Sequence, residues 1–589
     1  VTRTRLKGLG VSPGIAIGDP VVQETRPVSV LRIPVSDARV DGEVERFDAA
    51  VTAAIASILD NRDRAATQLG DEYAAIFEAH HLIASDESLL QPVRQLIRTE
   101  RVNAEWALEQ VSARLVSRFE QLPDEYLAER KLDVLDVTGQ ILRILHGREP
   151  GRLDRLDRPV ILVADDLPPS NAVQLPLDKI LGFILEMGGP TSHTTIIARS
   201  LGIPVVVGAH GACGAARDSR RIIVDAFEGK ILFDPNLAEE TEYGSRQREY
   251  VEQQSHLQAM RTLPTVTRDG RTIALLANID LLPETESAVH WNVDGVGLYR
   301  SEFLYMQKSP GLPSEDEHVA VYRDLVQKMG KGRPVTIRTF DLGGRKLSRE
   351  VMGNDEANPV LGLRGIRLCF SKPEFFRIQL RALLRTAGEF DPGTVRIMFP
   401  LIGCLDEFRM AKLLVRDVTM ELTAEGHTVH SEIPCGAMVE VPSAAVMADE
   451  LAAEADFLSI GTNDLVQYSL AVDRSNELVA HLYRPTNPAV LRLIAQVIKA
   501  GRDHNVNVSM CGEMASDPLM VPVLVGLGLR RFSMNPQAIP VIRSLVRQLS
   551  YRETVTIGKA TIRMTSAREV EEFLLEKLAI TLAKIKIRV

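Results

Sequence analysis

The sequence predicts a multidomain α/β protein: an α/β domain with an inserted helical bundle, one linker helix, and a (β/α)8 barrel. Three observations carry that expectation. A helical period fills residues 36–146, between stretches of short apolar runs. A polar stretch without proline covers 236–262. Beyond it, eight short apolar runs alternate with helical stretches to residue 589.

Composition bounds the class. At roughly 150 residues per domain, 589 residues make about four domains, fewer if one is a barrel. Apolar residues at 45% and charged residues at 25% are globular values and exclude disordered or collagen-like chains. No apolar run approaches the roughly 18 residues of a membrane span, and no leader opens the chain, so the expectation is a cytoplasmic protein with no membrane role. A net charge of −9 argues against a nucleic-acid binder and favours basic partners. Cys213, Cys369, Cys404, Cys435 and Cys511 form no C-x-x-C pair, which suits a reducing compartment and excludes a zinc site built on paired cysteines.

The first 35 residues read as short strands joined by turns at Gly8, Gly10, Pro13 and Gly14. Val44, Phe47, Val51, Ile55 and Ile58 then recur at spacings of three and four, one stripe of an amphipathic helix. With stretches near 71–98, 103–119 and 126–146, this makes four helices in a small bundle. Apolar runs at 160–163, 180–185, 203–207, 222–224 and 230–233 form a second set of strands, completed by the N-terminal ones. The expected domains are therefore 1–35 with 147–235, the insert 36–146, the linker 236–262 with Asn236 as N-cap, and the barrel 263–589. Ser566 and Glu569 form a capping box for a C-terminal helix.

Barrel chemistry sits at the C-terminal ends of strands. The expected strands lie near 272–279, 295–300, 335–340, 395–400, 436–441, 457–461, 506–511 and 531–534. Several end in chemically rich runs: Leu298-Tyr299-Arg300-Ser301-Glu302, Arg338-Thr339-Phe340-Asp341-Leu342-Gly343-Gly344, Met438-Val439-Glu440-Val441-Pro442, Ser459-Ile460-Gly461-Thr462-Asn463-Asp464 and Ser509-Met510-Cys511-Gly512-Glu513. Arg364 and Arg474 lie in loops just after such ends. Four arginines thus converge with Glu440 and Asp464. Arginine grips phosphate and carboxylate bidentately, and two hard carboxylates plus substrate oxygens suit Mg²⁺. Together they point to a small phosphorylated acid and phosphoryl transfer. Cys511 reads two ways, as a buried inert thiol or as a proton donor to an enolate.

The sharpest segment is Gly188-Gly189-Pro190-Thr191-Ser192-His193-Thr194-Thr195-Ile196-Ile197-Ala198-Arg199. Thr191 and Ser192 are good N-caps, and Gly202 is the expected helix stop. His193 therefore falls in a first helical turn, where free N–H groups and the helix dipole favour a negative group on its ring. A neutral imidazole is a nucleophile at pH 7 and accepts a phosphoryl group.

These residues resemble Enzyme I of the bacterial phosphoenolpyruvate:sugar phosphotransferase system. The resemblance runs from Val11-Ser12-Pro13-Gly14-Ile15-Ala16 through Ile76-Phe77-Glu78-Ala79-His80 and the histidine motif to Gly295-Val296-Gly297-Leu298-Tyr299-Arg300 and Ser459-Ile460-Gly461-Thr462-Asn463-Asp464-Leu465. It implies that phosphoenolpyruvate phosphorylates His193, and that Arg300, Arg338 and Arg474 grip the phosphate with Arg364 and Lys346 nearby. It implies that Glu440 and Asp464 hold Mg²⁺, that Asn463 contacts substrate, and that Cys511 protonates the enolate to pyruvate. The helical insert would dock the phosphocarrier HPr, with Asp71, Glu72, Ile76, Glu78, His80 and Arg130 in the matching surface region. The family dimerises through the barrel.

Some positions depart from the family pattern. Ser301 stands where Thr is frequent, Arg345 where Asp is, and Leu363 where Trp is. Pro168 and Ala172 stand where some members place hydroxyls near the active histidine. Four other readings remain open at this point. Pyruvate phosphate dikinase and phosphoenolpyruvate synthase share the histidine domain and barrel, but need a large ATP-grasp domain ahead of them, and the residues before the histidine domain hold no Gly-rich nucleotide loop. The nitrogen-regulatory branch adds an N-terminal sensory domain, which a trimmed chain would lack. A phosphoryl donor to a dihydroxyacetone kinase and an inactive scaffold complete the set. The intact residue set argues against the scaffold.

Overall fold

The computed structural model describes residues 4–23, 30–69, 71–120, 125–147, 156–187, 202–308, 312–342, 358–474, 476 and 478–585. The chain divides into two compact units, Val1–Glu252 and Gln253–Val589.

In the first unit, β1 (Arg5–Lys7), β2 (Leu9–Ser12) and β3 (Ile15–Gln23) share one sheet with β4 (Val160–Ala164), β5 (Ile180–Leu185), β6 (Val205–Val207), β7 (Ile222–Asp225) and β8 (Lys230–Phe233). The order is β1-β8-β7-β3-β4-β5-β6-β2. Strands β3 to β6 run parallel. All five residues of β4 are buried, because apolar clusters cover both faces of the sheet. Its unbroken run Val-Ile-Leu-Val-Ala is the signature of a strand covered on both sides.

Between β3 and β4 lie five helices among the described residues: α1 (Val40–Leu69), α2 (Asp71–Ala84), α3 (Glu87–Glu100), α4 (Ala104–Glu120) and α5 (Glu125–Leu145). The expected stripe is the buried face of α1, with Val44, Phe47, Val51 and Ile58 inside and Ile55 partly covered. The sequence pattern predicts four helices, and the stretch 71–98 is the one that divides. Asp86 ends α2 and restarts the chain as an N-cap, its side chain accepting the Ser88 N–H at 2.8 Å. Apolar spacing alone does not register such a cap.

The polar stretch after β8 folds as the helix Leu237–Ala259. The Glu239 N–H donates to Asn236 Oδ1 at 2.9 Å, and the Asn236 N–H donates back to the Glu239 carboxylate at 2.9 Å. Two otherwise orphaned donors are thereby satisfied.

The second unit is a closed barrel of eight parallel strands: β9 (Ala274–Ile279), β10 (Val296–Arg300), β11 (Val335–Arg338), β12 (Val395–Phe399), β13 (Cys435–Val439), β14 (Phe457–Ile460), β15 (Asn507–Met510) and β16 (Arg531–Met534), with β16 pairing β9. Each strand falls on one of the eight apolar runs. Outward side chains such as Ile337, Ile397 and Phe399 join the large core beneath the surrounding helices. Phe399 meets Phe376 and Phe408 edge-on, with ring centroids at 6.4 and 6.1 Å. Inward side chains Leu298, Met398, Met438, Phe457 and Cys511 form a separate cluster along the axis.

The C-terminal helix Ala567–Lys584 is capped by half of the expected box. Ser566 Oγ accepts the Glu569 N–H at 3.1 Å, but the Glu569 carboxylate accepts the N–H of Thr565, one residue earlier. Among the described residues, no helix is long and apolar enough to cross a membrane.

Candidate active site at the C-terminal end of the barrel

The strand ends deliver Arg300, Arg338, Arg364, Glu440, Asn463, Asp464, Arg474 and Cys511 to one cleft of about 550 Å³. That volume lies within the range of small-molecule sites. Six carboxylates and four arginines line it, so it is a charged cleft with an excess of negative groups.

Each of three arginines is positioned by a carboxylate. Arg300 Nη1 donates to both oxygens of Asp280, at 2.9 and 2.7 Å. Arg338, buried, pairs with Glu302 and, at 2.9 Å, with Asp341. Arg364 donates to Asp341 at 2.8 Å and to Asp464 at 2.9 Å. Its Nη1 reaches the Tyr468 hydroxyl at 3.2 Å, which in turn donates to the Val360 carbonyl. Burial alone would lower the pKa of Arg338 and Arg364, but the surrounding carboxylates outweigh it and hold both above the usual arginine range. Arg474 differs. It stands at the rim with its side chain 43% exposed, 3.8 Å from Glu513.

Glu440 is buried at the end of β13. The Leu401 N–H donates to its Oε1 at 2.7 Å, from a residue held at φ +55°. A left-handed leucine is strained backbone of the kind found at functional sites. On the other side Gly461 leaves room: a Cβ there would lie 2.8 Å from Glu440 Oε2. Burial, then the neighbouring Asp464 and Asp341 carboxylates, push Glu440 up to about 8, against the pull of Arg338 and Arg364. A hard dication between Glu440 and Asp464 would reverse that shift, so the donor pair fits one. Among the described residues no group of three or more His, Cys, Asp or Glu is set to hold a metal. A cation here would complete its shell with substrate oxygens and water.

Cys511 closes the base of the cleft. Its thiol faces Ser459 Oγ at 3.3 Å and the Ile460 carbonyl at 3.7 Å. Burial pushes the thiol pKa up, with the Ser459 hydroxyl opposing and Glu440 adding to it. The group is therefore a protonated thiol at neutral pH, able to give a proton rather than act as a thiolate. Asn463 is held by a two-way contact: its Nδ2 donates to Glu513 Oε1 at 3.1 Å and its Oδ1 accepts the Glu513 N–H at 2.9 Å.

His193 and Lys346 lie outside the described residues. In sequence His193 follows β5 and precedes β6, and Gly202 after its segment has φ +66°, the left-handed value of a helix stop. On the insert, Ile76 is half-buried and Glu78 exposed, while the side chains of Asp71, Glu72 and Arg130 are outside the description. His80 is a correction, because it is no surface residue. It is fully buried on the inner face of α2, with Nε2 3.2 Å from Asp133 and Nδ1 3.8 Å from Asp136. Asp136 also accepts the Ser170 hydroxyl at 2.6 Å and its N–H at 3.2 Å. Asp136 thus ties the insert to the segment after β4, with His80 packed beside it. Among the site residues, Asp280, Glu302, Asp341 and Tyr468 carry no role that the sequence alone assigns. Glu302 and Asp341 stand within the strand-end runs themselves, and that position is the available signal.

Comparison with known proteins gives a consistent result along the chain. Residues 254–551 match the family model of the PEP-binding domain of PEP-utilising enzymes, residues 7–130 their N-terminal domain, and residues 156–229 their mobile domain. The phosphoenolpyruvate-protein phosphotransferase of Bacillus subtilis (strain 168) is 41% identical over 571 residues, covering 97% of this chain and 99% of its own. That of Staphylococcus carnosus (strain TM300) is 39% identical over 572 residues, covering 97% and 99%. A solution structure of an Enzyme I protein shares 36% identity over 42% of this chain and 99% of its own, with a TM-score of 0.38. Full-length identity at this level, together with three matched domains in order, means that the chain belongs to the phosphoenolpyruvate-protein phosphotransferases, the Enzyme I family of PEP-utilising enzymes.

Proposed function

We propose that this enzyme takes the phosphoryl group of phosphoenolpyruvate onto His193 and passes it to a histidine of an HPr-type phosphocarrier. The observation that carries the reading is the convergence of Arg300, Arg338, Arg364, Glu440, Asn463, Asp464, Arg474 and Cys511 on one cleft. The substrate is a polyanion entering a cleft whose carboxylates outnumber its arginines. Glu440 and Asp464 would hold Mg²⁺, which supplies positive charge against the transferring phosphoryl group and the enolate oxygen. Arg300 and Arg338 grip phosphate oxygens from preformed positions, and Arg474, the least tethered of the four, closes from the rim. Attack by the His193 ring nitrogen forms an N–P bond as the enol C–O–P linkage breaks at phosphorus. The leaving enolate takes a proton at its methylene carbon from the Cys511 thiol, giving pyruvate, and solvent reprotonates the thiolate. The same histidine then serves the acceptor, so His193 must reach phosphoenolpyruvate and the phosphocarrier in turn.

The insert supports a docking role. Leu82 on α2 and Leu132 and Leu135 on α5 are 70%, 52% and 47% exposed, and Leu82 lies one helical turn from the exposed Glu78. Apolar anchors with an acidic rim suit a basic partner. We place the enzyme in the cytoplasm, as a homodimer through the barrel. The five free cysteines are in keeping with a reducing compartment.

The test is incubation with phosphoenolpyruvate and Mg²⁺, without nucleotide, beside a His193→Ala variant. Acid-labile, base-stable phosphate on the wild type alone, with stoichiometric pyruvate, is expected. A folded wild type that takes no label overturns the reading.

A further inference from the structure

The barrel has a second charged end. Side chains alternate in and out along a strand, and the lowest inner layer of such barrels is ordinarily filled by branched apolar residues. Here β12 carries Arg396 two residues before the inward Met398, and β16 carries Arg531 two residues before Ser533. In the ring of eight, β12 and β16 stand opposite each other. Both arginines line one recess at the N-terminal mouth, with Thr336, Phe457, Asn507 and Ser509. Phe457 separates this recess from the catalytic cleft, since it belongs to the axial cluster whose Leu298 and Met438 line the other end. Gly436 admits its ring, because a Cβ there would lie 2.4 Å from it.

Each guanidinium is held by a neutral acceptor. Arg396 Nε donates to the Gly393 carbonyl at 3.3 Å and Arg531 Nε to Asn507 Oδ1 at 3.1 Å. Among the described residues, no carboxylate pairs with either one. Burial and the facing Arg531 charge hold Arg396 below the usual arginine range. Two like charges facing each other in a partly buried recess are costly unless an anion lies between them. The enclosed space is about 20 Å³, room for about one water-sized group. That size excludes a sugar phosphate or nucleotide and selects a small ion.

We propose that the N-terminal mouth of the barrel is a binding site for a monatomic anion of about the size of chloride, held between the Arg396 and Arg531 guanidinium groups. Asn507 supports it: its Oδ1 orients Arg531 and its Nδ2 is a donor to the ion. The site is separate from the phosphoryl-transfer cleft and does not depend on the reading of that cleft.

The experiment is thermal unfolding of the full chain at constant ionic strength, with sodium gluconate, too large for the recess, replaced stepwise by chloride or bromide. The wild-type Tm is expected to rise by about 2 °C at a tenfold excess over Kd. Arg531→Glu places a carboxylate opposite Arg396. It is expected to raise the Tm in gluconate and to lose the anion response, with PEP-dependent labelling unchanged. Arg300→Met, at the catalytic end, is expected to keep the response, which separates the two ends of the barrel. Arg531→Gln, which loses the response without adding an ion pair, replaces Arg531→Glu if that variant fails to fold. A wild type with no response, or an Arg531 variant that keeps all of it, overturns the proposal. On crystals of the wild type soaked in bromide, an anomalous peak between Arg396 and Arg531 is expected, and its absence has the same force.

Discussion

The two ends of this barrel use arginine in opposite ways. At the C-terminal end Arg300, Arg338 and Arg364 are each tied to a carboxylate, through Asp280, Glu302, Asp341 and Asp464. At the N-terminal end Arg396 and Arg531 have no such partner among the described residues and face each other. The carboxylates of the first set fix guanidinium geometry before substrate arrives, so little reorganisation is needed during phosphoryl transfer. The second set is held by one hydrogen bond apiece, each to a neutral oxygen. The difference teaches that a charge inside a barrel is built for chemistry when its counter-ion comes from the next strand end. Without one, it calls for an ion from outside.

The largest effect expected from breaking that contrast is at Arg338. Arg338→Met leaves Glu302 and Asp341 buried without their cation, which costs about 3–5 kcal/mol of stability. It also removes a donor to the transferring phosphoryl group, lowering the labelling rate by about 10²–10³-fold. Urea unfolding and quenched-flow labelling read the two losses, and a variant that unfolds like wild type would erase the distinction between the ends. Cys511→Ala tests chemistry without charge. Pyruvate formation is expected to fall by about 10²-fold in a coupled assay, while the urea midpoint moves little. Glu302→Gln keeps a hydrogen-bond acceptor beside Arg338 but removes the anion. Labelling is expected to slow by about tenfold through a rise in KM, since the guanidinium is less firmly placed. The smallest effect is at the floor. Arg396→Met is expected to leave labelling unchanged and the unfolding free energy within about 1 kcal/mol of wild type, or slightly higher, because one of two repelling charges is gone.

Much of the active end is legible in the residues alone. Glu440, Asp464 and Cys511 stand out because strand periodicity locates strand ends, and barrel topology puts those ends on one face. The arginine partners do not. Glu302 and Arg338 are 36 residues apart, and Arg364 and Asp464 are 100, so their pairing depends on which strands are neighbours. His80 reads wrongly for a related reason. Its motif marks it as notable, but the burial of an α2 residue is set by Asp133 and Asp136 on α5, far along the chain. The floor arginines sit on inward positions of β12 and β16, but no local signal says that they face one another, because that depends on closure of the ring.

The sequence by itself determined the barrel, the helical insert, the capped helix after β8 and the arginines, Glu440, Asn463, Asp464 and Cys511 that reach the cleft. These follow from local period, capping chemistry and strand order, all written within short windows of chain. Only the tertiary structure decided which carboxylate restrains which arginine, that Glu440 is pushed up to about 8 by burial and neighbouring acids, that the Cys511 thiol stays protonated, and that Arg396 and Arg531 stand across the axis from each other with no carboxylate partner among the described residues. Those properties depend on distance and desolvation between groups far apart in the chain, and the local pattern of residues holds neither.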